Sequence, residues 1–237
     1  MLQRPGGEVA SRPLHFIWIL DCSGSMAAQG KMAALNNAIR EAIPHMQKAA
    51  AENANAKMLV RAVRFSTGAD WHIKDPMPIE QFVWSDLTAD GVTDMGKAFR
   101  LVTEQLKVPP MPERALPPVL VLASDGQATD DYKTALQELM SEEWGKKAVR
   151  MAIAIGKDAD LRMLQDFIGH AELQPLLANN PESLVRQIRW ASTVAIRVAS
   201  SPKPEEEKNL LHHGDALDDQ DDHKDHDVSP PDDDLVW

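Results

Sequence analysis

The sequence predicts an α/β fold: an open, mostly parallel sheet with helices on both faces, followed by a disordered acidic tail. Three observations predict it. Short, nearly continuous apolar runs recur at residues 15–20, 119–123 and 149–155, as expected of strands covered on both sides. Amphipathic stripes of helical spacing lie between the runs, so strand and helix alternate. From Ser201 the chain turns polar, charged and proline-bearing, and such a segment cannot bury enough apolar surface to order itself. The expected organisation is a flexible N-terminus at 1–12, a folded domain at 13–200 and a tail at 201–237.

Each element has its own signal. Residues 57–65 read as a further strand, with Arg61 and Arg64 marking partial exposure, and 69–73 pairs with it as an edge through a turn at Thr67-Gly68. Met32, Leu35, Ile39, Ile43 and Met46 form the first helical stripe. Pro44 is expected to kink or shorten that helix. Met95, Phe99, Val102 and Leu106 form the second stripe. Leu136, Leu139, Met140 and Trp144 form the third, opened by Asp130 and Asp131 where carboxylates complement the helix dipole. Leu161, Leu164 and Ile168 form the fourth, closed by Gly169. The last helix starts at Asn180-Pro181-Glu182, a cap followed by proline at the first helical position. It continues through Leu184, Ile188, Ala191, Ala195 and Val198.

Charge is distributed unevenly along the chain. Of 237 residues, 43% are apolar, which is enough for a sizeable core, and the net charge is −11. Residues 201–237 hold 13 Asp/Glu against three Lys, a net of −10, which leaves about −1 for all that precedes them. That tail reads either as a solubilising arm or as a docking peptide, with Asp232 to Asp234 beside apolar Leu235, Val236 and Trp237 as anchor. No basic block or aromatic-basic interleaving points to nucleic acid. The single cysteine, Cys22, allows no disulfide within the chain, which fits a reducing compartment. The 16–20 run is too short to span a bilayer. Together these features predict a cytoplasmic protein with no membrane partner.

The chemistry concentrates where strands end. The segment "FIWILDCSGSM" breaks from an apolar run into Asp21, Ser23 and Ser25. Asp125, in "VLVLASDGQ", follows another buried strand. In open α/β sheets, ligands bind at the carboxyl ends of the strands, where strand order reverses. If both strands are central and parallel, the two carboxylates leave the same edge. Ser23 and Ser25, at alternate positions, face the same way as Asp21 in an extended loop. Thr93, in "ADGVTDMGKAF", opens a helix and adds a third hydroxyl. Two carboxylates and three hydroxyls are an all-oxygen set suited to a hard divalent cation such as Mg²⁺. So few anionic ligands leave the ion electrophilic, with a position open to an outside carboxylate. Cys22, pointing away from Asp21 and lacking a base or second thiol, reads as a small core residue. His15, His45, His72 and His170 read as scattered core or surface residues.

At these positions the sequence resembles the von Willebrand factor type A (VWA) domain. "DCSGS" is similar to that family's D-x-S-x-S, Thr93 to its lone threonine, and Asp125-Gly126 to its later aspartate before glycine. The resemblance spans about residues 13–199. It implies a doubly wound, Rossmann-like sheet and a metal-ion-dependent adhesion site. It further implies that Ser23, Ser25 and Thr93 touch the metal while Asp21 and Asp125 act mostly through water, with Mg²⁺ or Mn²⁺ completed by a partner's acidic residue. Asp94, directly after the threonine, departs from the pattern. It reads either as a further carboxylate for the ion or as one that meets only solvent.

The site as read holds an ion and a vacancy but nothing to move protons. A haloacid-dehalogenase-type phosphatase needs a second aspartate two residues after the first, where this chain has Ser23. A binding module is therefore expected rather than an enzyme, with a Mg²⁺-dependent phosphatase as the rival. "RPLHFIWILDCSGSM" and "GVTDMGKAF" look like the bacterial TerY-like branch, associated with tellurium resistance. That likeness implies an adaptor in stress or defence signalling that partners a protein kinase and a PP2C-type phosphatase. The alternative is a chelatase- or AAA-ATPase-associated subunit.

Overall fold

The computed structural model describes residues 11–53 and 55–201. The strands are β1 (Arg12–Asp21), β2 (Ala56–Ser66), β3 (Gly68–Pro78), β4 (Val119–Ser124), β5 (Val149–Ile155) and β6 (Leu176–Ala178). They form one sheet in the order β3-β2-β1-β4-β5-β6, with only β3 antiparallel to its neighbour. The helices are α1 (Lys31–Ala51), α2 (Met95–Leu106), α3 (Tyr132–Ser141), α4 (Glu143–Lys147), α5 (Leu161–Ile168) and α6 (Pro181–Ser200). The predicted tail lies outside the described residues. None of the described helices is long and apolar enough to cross a membrane.

Strand β1 shows how the sequence makes the layers. Its side chains alternate between faces. Leu14, Phe16, Trp18 and Leu20 join one core with α1 and α6, whereas Ile17 and Ile19 join the other with α2, α3 and α5. Because both faces are buried, the strand reads as a continuous apolar run. Phe16 and Trp18 meet edge-on at 5.0 Å on the first side, and Phe99 stacks on Phe167 at 5.4 Å on the second. Strand order reverses between β1 and β4, so their carboxyl ends flank the crevice where such sheets bind ligands.

Three local expectations differ from the structure, and one strand was not expected. Helix α1 runs through Pro44 without ending there. The proline is exposed, while Ala42 and Met46 on either side stay buried. The third stripe is two helices, because Glu142 is extended (φ −70°, ψ 144°) and Trp144 belongs to α4. The turn brings Gly145 so close to the Leu139 carbonyl that no side chain fits there. Arg61 is buried rather than partly exposed, its guanidinium 5.5 Å from the Trp71 ring. Strand β6, three residues long, gave no readable pattern in the sequence. The turn into β3, the closure of α5 by left-handed Gly169 (φ 65°) and the Asn180 cap of α6 stand as expected.

Candidate metal centre

Asp21 ends β1 fully buried. Its Oδ1 accepts the backbone N–H of Ser23 at 2.8 Å, and its Oδ2 accepts the Ser124 hydroxyl at 2.5 Å. The second contact follows from register: Leu20 pairs with Ala123, so the next step sets Asp21 beside Ser124. Burial pushes the Asp21 carboxyl above its ordinary pKa, with the serine hydrogen bonds working against that rise. A buried carboxylate in this state is stabilised by a cation.

After Asp21 the chain enters a 3₁₀ turn (Gly24–Gly30). Ser23 is still extended (φ −65°, ψ 165°), and its hydroxyl lies 2.9 Å from that of Ser25. Ser25 donates to Asp125 Oδ1 at 2.7 Å. Thus the first and third loops are joined directly, across 100 residues of sequence. Left-handed Gln29 and Gly30 (φ 54° and 74°) then reverse the chain into α1. Lys31, the first residue of α1, places its ammonium 2.9 Å from Asp125 Oδ2.

Thr93 reaches the site on a segment held by backbone bonds. Asp90 N–H donates to the Cys22 carbonyl, Gly24 N–H to that of Gly91, and Thr129 N–H to that of Thr93, at 2.8, 3.0 and 2.9 Å. Asp130 accepts the N–H groups of Gly96 and Lys97 at 2.9 and 3.0 Å. It therefore caps the start of α2 from another loop, while Asp131 alone caps α3. Asp94 neither joins the oxygen cluster nor faces only solvent. Its Oδ2 accepts Gly68 N–H and the Lys97 ammonium, at 2.8 and 2.7 Å, and its pKa is lowered chiefly by that lysine.

The three loops converge at Gly126. A methyl group on this residue would lie 3.5 Å from Thr93 Oγ1, 3.7 Å from Ser25 Oγ and 3.8 Å from Asp21 Oδ2. Glycine leaves a cradle there on the third loop, its three nearest neighbours oxygens of the first and second loops. The residues present fit a hard divalent cation. Among the described residues no three His, Cys, Asp or Glu side chains cluster as a metal group, so hydroxyls must supply part of any shell. All five residues expected at the site (Asp21, Ser23, Ser25, Thr93 and Asp125) lie on one rim. Sequence reasoning missed Ser124, Lys31 and Asp130. Ser124 was visible in principle as the residue preceding Asp125 on a strand paired with β1. Lys31 and Asp130 act across 94 and 34 residues, and no local pattern shows such partners.

Two other expectations concern reactivity. Cys22 packs in the apolar cluster with Leu20 and Met26, and burial pushes its thiol up to about 12. It is no nucleophile. His15 is buried at the opposite end of β1, and His72 hydrogen-bonds Ser85 on the surface.

No protein-family model matches the sequence, and no curated protein sequence matches it. Solved structures do match the fold. A von Willebrand factor type A protein from Catenulispora acidiphila superposes with a TM-score of 0.59 at 18% identity, over 78% of this chain and 43% of its own. Proximal thread matrix protein 1 from the mussel byssus, with a zinc-occupied MIDAS motif, gives 0.55 at 16%, over 80% and 47%. BatB from Bacteroides thetaiotaomicron gives 0.54 at 13%, over 78% and 99%. This chain thus spans less than half the length of the first two and nearly all of the third. Its mostly parallel six-stranded sheet with flanking helices is a VWA-like fold.

Proposed function

We propose that this protein is a non-enzymatic, divalent-cation-dependent protein-binding module. Ser23, Ser25 and Thr93 hold Mg²⁺ or Mn²⁺ through their hydroxyls, and Asp21 and Asp125 supply negative charge around it. The observation that carries this reading is the oxygen-lined cradle at Gly126, where three loops meet. An ion bound there supplies a Lewis-acidic position open to the rim, suited to a carboxylate on a partner protein. The neighbouring mussel protein's zinc-occupied MIDAS supports a metal at this place in the fold. The protein's own residues orient and exclude: backbone bonds fix the loops, and Ser124 holds the buried Asp21 oxygen.

Hydrolytic chemistry finds little support. The thiol is buried and protonated, Asp125 is engaged by Ser25 and Lys31, and Asp21 by Ser23 and Ser124. At finer detail, the reading is a cytoplasmic bacterial adaptor in stress or defence signalling that partners a protein kinase and a PP2C-type phosphatase. This part rests on the sequence likeness to the TerY-like branch. Capture of these two partners by the immobilised chain, in Mg²⁺ and in EDTA, tests it. Chelator-sensitive capture that Asp21→Asn removes is expected. Capture indifferent to both contradicts the metal-dependent reading, and phosphate-ester turnover by the purified chain contradicts the non-enzymatic one.

A further inference from the structure

Lys31 is a cation already resident in the site. Its side chain is 9% exposed and that of Asp125 is not exposed at all. The position is costly. Lys31 opens α1, where the helix dipole disfavours positive charge, and α1 has no acidic residue in its first turn to offset it. Burying both charges also costs desolvation, which attraction repays only with good geometry. The 2.9 Å contact to Asp125 Oδ2, with Ser25 donating to the other oxygen at 2.7 Å, is such geometry. Nothing in the packing of α1 requires an ammonium here, since the helix is otherwise anchored by Met32, Leu35 and Ile39.

Resting on the divalent-ion reading above, we propose that Lys31 is a built-in counter-cation that keeps the metal-free site assembled and lowers its affinity for a divalent ion. Asp21 and Asp125 alone would present two negative charges. The positive charge of Lys31 offsets one of them, so an incoming dication meets about half the net negative charge. The lysine also holds Asp125 in place when no ion is bound, so the third loop needs no metal to stay formed. A loaded site then carries net positive charge, the sign that attracts a carboxylate.

The test measures Mn²⁺ affinity by electron paramagnetic resonance of the free ion. Full-length wild type, Lys31→Met and Lys31→Arg are compared, with circular dichroism confirming each fold. Lys31→Met is expected to bind Mn²⁺ about tenfold or more tightly, and Lys31→Arg to stay near wild type because the charge is kept. A lysine with a purely structural role predicts the opposite, weaker or unchanged binding in Lys31→Met. If Lys31→Met does not fold, Lys31→Gln, which keeps a hydrogen-bond donor without the charge, carries the same comparison. Wild type that binds Mn²⁺ while neither neutral variant binds more tightly overturns the lysine inference alone. An absence of Mn²⁺ binding in wild type and in both neutral variants overturns the ion reading and this inference with it.

Discussion

The two ends of β1 bury polar side chains in opposite ways. At the carboxyl end, Asp21 has both oxygens engaged, by Ser23 and Ser124, and Asp125 is engaged by Ser25 and Lys31. Toward the other end, His15 is 4% exposed with neither ring nitrogen hydrogen-bonded, and buried Arg61 on β2, in register with Ile17, has an unpartnered Nε. Burial and the Arg61 charge hold His15 down to about 4, so at neutral pH it is an uncharged ring in an apolar layer. The difference separates an organised polar site from polar groups that are merely tolerated. Donors surround the carboxylates at one end, whereas burial beside the Arg61 charge keeps the His15 ring neutral at the other.

Substitutions sharpen that contrast, beginning with the largest effect. Asp21→Asn keeps the shape of the rim and removes its buried charge. Divalent-ion affinity should fall about a thousandfold, ~4 kcal/mol, with little change in melting temperature; calorimetric titration with Mg²⁺ and thermal denaturation read the two. Acid should act at the opposite end. The folded pKa of His15, about 4, lies below its ordinary 6.5, so the unfolded chain takes up the extra proton between those values. The contribution is absent above pH 6.5, and stability falls as pH drops toward 4, by ~3 kcal/mol. Urea denaturation at several pH values should show this loss reduced by that amount in His15→Leu. A smaller effect is expected at the cradle: Gly126→Ala places a methyl among the three oxygens and should weaken ion binding about tenfold, ~1.4 kcal/mol, without unfolding the chain. The smallest belongs to Asp94→Ala, which loses bonds from Gly68 and Lys97 and should cost ~1 kcal/mol in denaturant stability. Lys97 is more than half exposed, so its share of that is slight.

Much of this was legible in the sequence, for a physical reason. Asp21, Ser23, Ser25, Thr93 and Asp125 each stand at a strand end or helix start, and boundaries of that kind show in local pattern. Parallel β1 and β4 then bring the outer two together by topology alone. Residues acting through tertiary partners were not legible. Lys31 looks like an ordinary helix lysine until Asp125 folds against it. Asp130 looks like a dipole partner of its own helix but caps α2 instead. Asp94 reads from adjacency as either a metal carboxylate or a solvent-facing one, but turns to Gly68 and Lys97. Pro44 reads as a point of kinking or shortening because propensity ignores the apolar contacts that carry α1 past it.

Binding by this rim depends on a divalent cation occupying the cradle at Gly126. Water-proton relaxation during Mn²⁺ titration of the wild-type chain tests that directly. Saturable binding that Mg²⁺ displaces and Asp21→Asn removes is the predicted result. An absence of saturable binding at millimolar free metal, or binding undiminished in Asp21→Asn, would contradict it.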